Sequence, residues 1–127
     1  MVDQDGLPVR LVISPGQAAD KTVAPLLLDT LPPGCVIADR GYDSLALVQR
    51  VQARGGVAHF PTQSRVRLQR TVPRELYRQR NLVERFFCKL KQFRRIATRF
   101  DKHAANFLAA IALASARIWM RAIESAA

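Results

Sequence analysis

Residues 74–101, RELYRQRNLVERFFCKLKQFRRIATRFD, carry the clearest periodic pattern in the 127-residue sequence. Apolar residues recur at steps of four and three, which predicts one helix with a single buried face. The residues of that face are Leu82, Phe86, Leu90, Phe93 and Ala97. On a continuous helix, four polar residues project within ~60° of one another on the opposite side. These four residues are Tyr77, Arg80, Glu84 and Lys91.

Positive charge is concentrated in the same segment. Residues 74–102 contain ten Lys or Arg against three Asp or Glu, so +7 of the formal net charge of +10 lies there. A solvated face with an ion pair between Arg80 and Glu84 is the alternative interpretation. On a helix, however, the acid preferably precedes the cation, and here the order is reversed. The excess of one sign therefore favours contact with nucleic acid over a solvated surface.

Length and composition predict one folded domain. A chain of 127 residues with 49% apolar and 24% charged residues can bury a single core. The longest apolar run, at residues 104–116, is interrupted by Asn106 and followed by Arg117. It is too short to span a bilayer, and the N-terminus has no signal or lipidation motif. We therefore expect no membrane partner.

The two cysteines have no metal-binding spacing. Cys35 and Cys88 are isolated from each other, and His59 and His103 do not complete a zinc set with them. We expect both to be buried thiols in a reducing compartment.

The rest of the chain alternates predicted strands with predicted helices. The first predicted elements are a strand end at 1–5, a turn at Asp5-Gly6 and a strand at 8–14. A helix from Thr22 to about Leu31 follows, and then a strand at 35–38 that is buried on both faces. The last of them are a helix capped by Asp43 or Ser44 and ended by Gly55-Gly56, and a strand at 57–60. This order predicts an α/β fold with a partly parallel sheet.

Two further segments flank the long helix. Residues 62–73 contain Arg65, Arg67 and Arg70 and no acid, which predicts a positively charged loop or arm. After the long helix, Asp101 is expected to cap a last helix with Trp119 as a core anchor. The expected core side of that helix comprises Ala104, Phe107, Leu108, Ile111, Leu113 and Ile118.

Asp39 directly follows the predicted strand at 35–38. In α/β sheets, reactive groups lie just beyond the carboxyl ends of strands. An aspartate before Gly41 is equally typical of an ordinary strand-end turn. The residues alone leave both interpretations open. For Asp43, an N-cap role explains the residue better than metal binding does, and Glu75 suits the positive end of a helix.

The spacing Tyr-x2-Arg-x3-Glu-x6-Lys, formed by Tyr77, Arg80, Glu84 and Lys91, resembles the C-terminal signature of insertion-sequence DDE transposases of the IS-four/IS-five type. The surrounding LVERFFCKLKQFRRIATRFDKHAANFLAAIALASARIW is similar to that family. So is the segment ADRGYDS, which contains Asp39, and the similarity runs almost the whole length. The resemblance implies a ribonuclease-H-like α/β fold, with a mixed sheet, flanking helices and two C-terminal helices.

The resemblance also implies the chemistry of the site. Asp39 and Glu84 would be two of three carboxylates that bind two Mg²⁺ or Mn²⁺ ions, since hard cations prefer oxygen ligands. Arg80 and Lys91 would bind phosphates of the transposon end, and Tyr77 would contact that end or stack on a base. The implied reaction is phosphodiester cleavage and strand transfer during DNA transposition of a mobile element in the prokaryotic cytoplasm.

The family's first acid lies on a strand upstream of the segment similar to GLPVRLVISPGQAAD, and only five residues precede Gly6. Asp3 and Asp5 fall at the predicted hairpin instead. We therefore expect residues 1–127 to be the C-terminal part of a catalytic domain, truncated at its N-terminus. We expect it to be inactive without an upstream half, supplied as a fusion or partner chain, and to form a homo-oligomer when active. A non-catalytic DNA-binding regulator of transposition and an unfolded pseudogene product stay open as alternatives.

Overall fold

The computed structural model describes residues 1–29, 34–98 and 103–127. The elements within these ranges are α1 (Asp20–Leu28), β1 (Cys35–Ile37), a 3₁₀ turn (Arg40–Tyr42), α2 (Leu45–Ala53), β2 (Val57–His59), α3 (Arg74–Arg78), α4 (Asn81–Lys91), α5 (Arg94–Ala97) and α6 (Ala104–Ala126). The chain divides into two compact units. The α/β unit comprises residues 14–80, and the helical unit comprises residues 1–13 and 81–127.

The α/β unit contains one pair of parallel strands. In the register of β1 and β2, Cys35 lies opposite Val57 and Ile37 lies opposite His59. Helix α2 connects the two strands and packs against β2, with Leu47, Val48 and Val51 buried. The α/β class and the parallel pairing predicted from the sequence are confirmed. The prediction that β1 is buried on both faces is wrong, because Cys35 is exposed and the next two residues are only half-buried.

Two glycines allow α2 to end and β2 to begin close to β1. Gly55, with φ of 80°, adopts the left-handed conformation that commonly ends a helix, as predicted. At Gly56, a Cβ atom would lie 2.7 Å from the carbonyl oxygen of Gly34 and 2.9 Å from the Cγ1 atom of Val51. That same Gly34 oxygen accepts the N–H of Val57 at 3.0 Å. Any side chain at position 56 would therefore push the strands apart.

Helix α1 begins earlier than the sequence predicts. Its first residue is Asp20, and Thr22 donates its hydroxyl to the Ala19 carbonyl at 2.6 Å instead of acting as the N-cap. The acid in the first turn suits the positive end of the helix dipole. Pro25 consequently lies inside the helix rather than in its first turn. The predicted end of this helix, at Leu31, falls outside the described residues.

The helical unit is built on a core shared by α4 and α6. Phe86 and Leu90 of α4 pack with residues of α6, and Phe86 is 1% exposed. The α6 members of this core are Ile111, Ala114 and Ile118. The N-terminal segment covers the core with Val2, Leu7 and Leu11.

The N-terminal segment forms the predicted turn but not the predicted strand. The carboxylate of Asp3 accepts the N–H groups of Asp5 and Leu7, each at 2.9 Å, and Gly6 has φ of 77°. Antiparallel pairing is limited to a bridge between Val2 and Pro8. The alternation at 8–14 does not produce a strand, because no other described segment offers these residues a continuous hydrogen-bonding partner.

Three short helices replace the single helix predicted at 74–101. Gln79 and Arg80 donate their N–H groups to the carbonyls three residues back, which tightens and ends α3. Phe93, with extended backbone (ψ of 106°), separates α4 from α5. On the predicted apolar face, Phe86 and Leu90 are buried, whereas Ala97 is exposed. The predicted cap at Asp101 lies outside the described residues.

Helix α6 buries a narrower face than predicted. Ile111 and Ile118 are buried as expected, but Leu113 is 75% exposed. The buried positions 111, 114, 115 and 118 follow steps of three and four, and residue 113 falls outside that stripe. Trp119 is 36% exposed, and its indole N–H donates to the Pro8 carbonyl at 2.7 Å, so it anchors the N-terminal segment more than it fills the core.

By length and composition alone, α6 could cross a membrane, which the shorter run at 104–116 did not suggest. Its buried residues pack against α4, as those of a core helix in a globular protein do. The two cysteines also differ from expectation. Cys35 and Cys88 are both free and exposed, so the prediction of buried thiols is wrong.

Phe86 and its neighbour Phe87 allow a matched test of this core. Phe86→Ala should lower the free energy of unfolding by about 3–5 kcal/mol, because it leaves a cavity between α4 and α6. Phe87 is 51% exposed and its ring centroid lies 5.7 Å from that of Phe86. Phe87→Ala should therefore cost less than about 1.5 kcal/mol. Urea unfolding followed by Trp119 fluorescence measures both, and equal losses would contradict the burial of Phe86.

Candidate active site and nucleic-acid interface

Asp39 lies two residues beyond β1, at the carboxyl end of the strand. It is half-buried, and its Oδ1 atom accepts the Gly41 N–H at 2.9 Å, which caps the 3₁₀ turn. The turn-forming role considered for this residue is therefore real. Its Oδ2 atom makes no hydrogen bond within the described residues, so one oxygen remains available to a ligand.

A second carboxylate, from Asp20, approaches the same turn. A Cβ atom at Gly41 would lie 3.0 Å from Oδ1 of Asp39 and 3.6 Å from Oδ2 of Asp20. Burial raises the pKa of the adjacent Tyr42 phenol, and the charges of Asp20 and Asp39 raise that pKa further. Sequence reasoning missed Asp20, because the predicted helix began at Thr22 and the packing of α1 against the 3₁₀ turn left no signal in the local pattern.

Asp43 does not have the N-cap role predicted for it. The N-cap position of α2 is Ser44, which makes no side-chain cap bond. The Asp43 side chain, 10% exposed, turns instead toward the segment that follows β2, where it accepts the Gln63 N–H at 2.8 Å and pairs with Arg70. These bonds, the one from Gln63 first, hold the pKa of the Asp43 carboxyl below its usual range.

Tyr77 and Arg80 come together in the α/β unit, as the sequence predicts. Both are half-buried, and the guanidinium carbon of Arg80 lies 5.7 Å from the centroid of the Tyr77 ring. This is a cation–π distance, so the ring supports the guanidinium. The contact forms across the turn that ends α3 and not along one continuous helix. Nearby, Arg78 forms an exposed ion pair with Glu75 at 3.1 Å.

Glu84 and Lys91 lie on α4 in the helical unit, and both are exposed. Seven residues make about two helical turns, so both point away from the side occupied by Phe86 and Leu90. Glu84 is in the first turn, where a carboxylate is favoured by the helix dipole. Each unit thus contains one of the two predicted metal-binding carboxylates. Within either unit, the described residues bring no three Asp, Glu, His or Cys side chains together around a metal position.

Comparison with known proteins identifies the family. Residues 1–119 match the family model described as "Transposase DDE domain". The chain belongs to the DDE transposase family. It is 38% identical to a Brucella ovis protein named "Putative transposase for insertion sequence element IS6501", and the match covers 95% of each chain. No solved structure matches the chain.

Family membership confirms the resemblance seen in the sequence. The protein is an insertion-sequence transposase, a class that acts on DNA ends and generally uses divalent metal ions. A transposase is expected to be soluble and cytoplasmic.

The environment of Asp43 predicts an acid-dependent loss of stability. Because the folded-state pKa of Asp43 lies below that of the unfolded chain, its contribution is complete above about pH 4 and is lost as the pH falls through the folded value. Asp43→Asn should lower stability at pH 7 and flatten the decline below about pH 4. In this variant Asp29, whose pKa is lowered by its bond with Arg50, should still contribute to the loss of stability at low pH.

Urea unfolding followed by circular dichroism at several pH values measures this effect. Glu75→Gln is the matched control in the same unit, because Glu75 is an exposed acid whose side chain is 80% accessible. If the stability of Asp43→Asn declines below about pH 4 as steeply as that of the wild type, the carboxylate is not held as the structure indicates.

Proposed function

We propose that residues 1–127 are the C-terminal part of a ribonuclease-H-like catalytic domain. In this proposal the transposase cleaves phosphodiester bonds and transfers DNA strands at transposon ends in a metal-dependent reaction. The observation that carries the proposal is that Asp39 and the Tyr-Arg-Glu-Lys residues all lie within the matched range of the family model. The parallel pair β1 and β2 supports it, because Asp39 follows β1 where α/β sheets hold reactive groups.

The donor chemistry fits a hard divalent cation. Asp39 has one carboxylate oxygen outside its turn, and Glu84 offers a second carboxylate on an exposed helix surface. Mg²⁺ and Mn²⁺ prefer such oxygen ligands. Bound ions would stabilise the charge on the attacking and leaving oxygens of a displacement at phosphorus. Two carboxylates are fewer than the three that the resemblance implies, so the third is assigned to an upstream half.

The cationic residues are assigned to DNA phosphates. Arg80 would bind a phosphate with its guanidinium held against the Tyr77 ring, which limits the freedom that binding must remove. The same ring could also contact the transposon end by stacking on a base. Lys91 would bind a phosphate as a point charge from the surface of α4.

The active form is assigned to a larger assembly. An upstream half, fused or supplied as a partner chain, would add the first aspartate, and the complete protein would act as a homo-oligomer on paired ends. The excess of basic residues favours one alternative, a DNA-binding regulator without catalysis. The two functions differ in whether Glu84 matters beyond binding.

Glu84→Gln tests catalysis directly. Co-expressed with the upstream half and given Mg²⁺ or Mn²⁺, the wild-type protein should nick a plasmid that carries the insertion-sequence ends. Glu84→Gln should bind these ends and not nick them, because an amide cannot replace the charged metal ligand. Glu75→Gln, the matched control on α3, should nick as the wild type does. Nicking by Glu84→Gln would remove its catalytic assignment, and wild-type binding without nicking would establish the regulator.

Arg80→Gln and Lys91→Gln test the phosphate contacts. Each should weaken DNA binding and reduce the slope of log K against log salt by about 1, since each removes one phosphate contact. Fluorescence anisotropy with a labelled duplex, measured across salt concentrations, gives both quantities. Arg78→Gln is the control, because it removes the same charge from an exposed arginine that lies outside the Tyr-Arg-Glu-Lys set. Unchanged slopes in both variants would contradict the assignment.

A further inference from the structure

The loop that follows β2 is held at both of its ends. We call residues 63–69 the basic loop. On one side, the N–H of Gln63 donates to Asp43 at 2.8 Å. On the other side, the N–H of Arg70 donates at 2.7 Å to the hydroxyl of Thr62, which is 3% exposed. The two ends are therefore fixed next to each other on a buried base.

Arg70 completes this base with its side chain. Its guanidinium pairs with Asp43 and donates from Nε to the Phe60 carbonyl at 3.2 Å. Phe60 is 2% exposed, and the Asp43 side chain is 10% exposed. Since its donors are directed into the unit, Arg70 acts as a positioning residue. The other two arginines of the segment, Arg65 and Arg67, are exposed to solvent.

The tip of the basic loop is exposed and positively charged. Arg65 and Arg67 are exposed and have no hydrogen-bond or ion-pair partner among the residues that the structure describes. Between and beside them, Val66 is 44% exposed and Leu68 is 85% exposed. The side chain of Gln69 donates to the Gln63 carbonyl at 3.0 Å and also bonds the Val66 carbonyl, which shapes the tip from within.

The basic loop leaves the same sheet edge as Asp39. Because β1 and β2 are parallel, their carboxyl ends lie together, and the Ala38 N–H donates to the His59 carbonyl at this end. Asp39 follows β1, and the buried base of the loop follows β2. Asp43, four residues after Asp39, joins the two. Asp39 and the tip of the basic loop therefore belong to the same unit, so a DNA strand bound at Asp39 would be bound to the unit that carries the tip.

We propose that the basic loop is a second DNA-contacting surface of this transposase, in which Arg65 and Arg67 bind backbone phosphates and the Asp43–Arg70 pair holds the loop ready. This rests on the proposed function, because it needs DNA at Asp39. Guanidinium groups match phosphate geometry, and a loop already fixed at both ends loses less conformational freedom on binding than a free arm does. The contacts would position DNA without reading its sequence.

The first experiment compares two double variants with the same change in charge. Arg65→Gln/Arg67→Gln should weaken binding to a duplex of the insertion-sequence end and lower the salt slope by about 2. Arg117→Gln/Arg121→Gln removes two exposed arginines from α6 and should change the slope much less. Equal effects of the two double variants would mean that net charge alone is responsible and would overturn the proposal. Both are surface changes, so folding is preserved.

The second experiment separates positioning from charge. Asp43→Asn removes a negative charge, so electrostatics alone would tighten DNA binding, whereas loss of the Arg70 pair should weaken it. Gln69→Ala loosens only the exposed tip and should weaken binding without changing the salt slope. Tighter binding by Asp43→Asn together with unaltered binding by Gln69→Ala would overturn the positioning role.

The outcomes also distinguish this proposal from the proposed function. If Arg80→Gln and Lys91→Gln lower the salt slope and the loop variants do not, the basic loop is not a DNA surface and the proposed function stands. If the wild-type protein with its upstream half binds no insertion-sequence end, both proposals fall.

Discussion

Parallel pairing between β1 and β2 is the constraint on which the candidate site depends. Parallel strands cannot be joined by a tight turn, so the chain must cross back, and α2 is the crossing. The crossing closes only because Gly56 lies against the Gly34 carbonyl, where a Cβ would be 2.7 Å from the oxygen. Once closed, both strands end at one edge. Asp39 follows one strand, the base of the basic loop follows the other, and Asp43 connects them.

In the helical unit, α4 has one packed side and one exposed side. An eleven-residue helix contributes Phe86 and Leu90 to a core and leaves Glu84 and Lys91 on its outer side. The packed side fixes the rotation of the helix, and this rotation determines where the carboxylate and the ammonium group point. Because α3 ends at Arg78, the Tyr77–Arg80 contact does not depend on the rotation of α4 about its axis. The DDE transposase signature is therefore spread over two packing environments rather than one helix face.

Local patterns in the sequence predicted the features that local interactions determine, such as buried helix positions and strand ends. Steps of three and four residues identified Phe86 and Leu90, and an apolar run followed by an acid placed Asp39 at a strand end. Contacts between residues that are far apart in the sequence produce no periodic pattern from which they could be predicted. The Asp43–Arg70 pair spans 27 positions, and the approach of Asp20 to Gly41 depends on how α1 packs. The break at Phe93 was hidden because the apolar spacing continues through it from Leu90 to Ala97, although the helical backbone does not.

The exposure of both thiols gives this transposase native attachment points for spectroscopic probes. The sequence contains two cysteines, and one lies in each unit, at the start of β1 and on the outer side of α4. Maleimide dyes would couple to Cys35 and Cys88 without substitution of any residue. Resonance energy transfer between a donor on one sulfur and an acceptor on the other would report the spacing of the two units while DNA is bound and released.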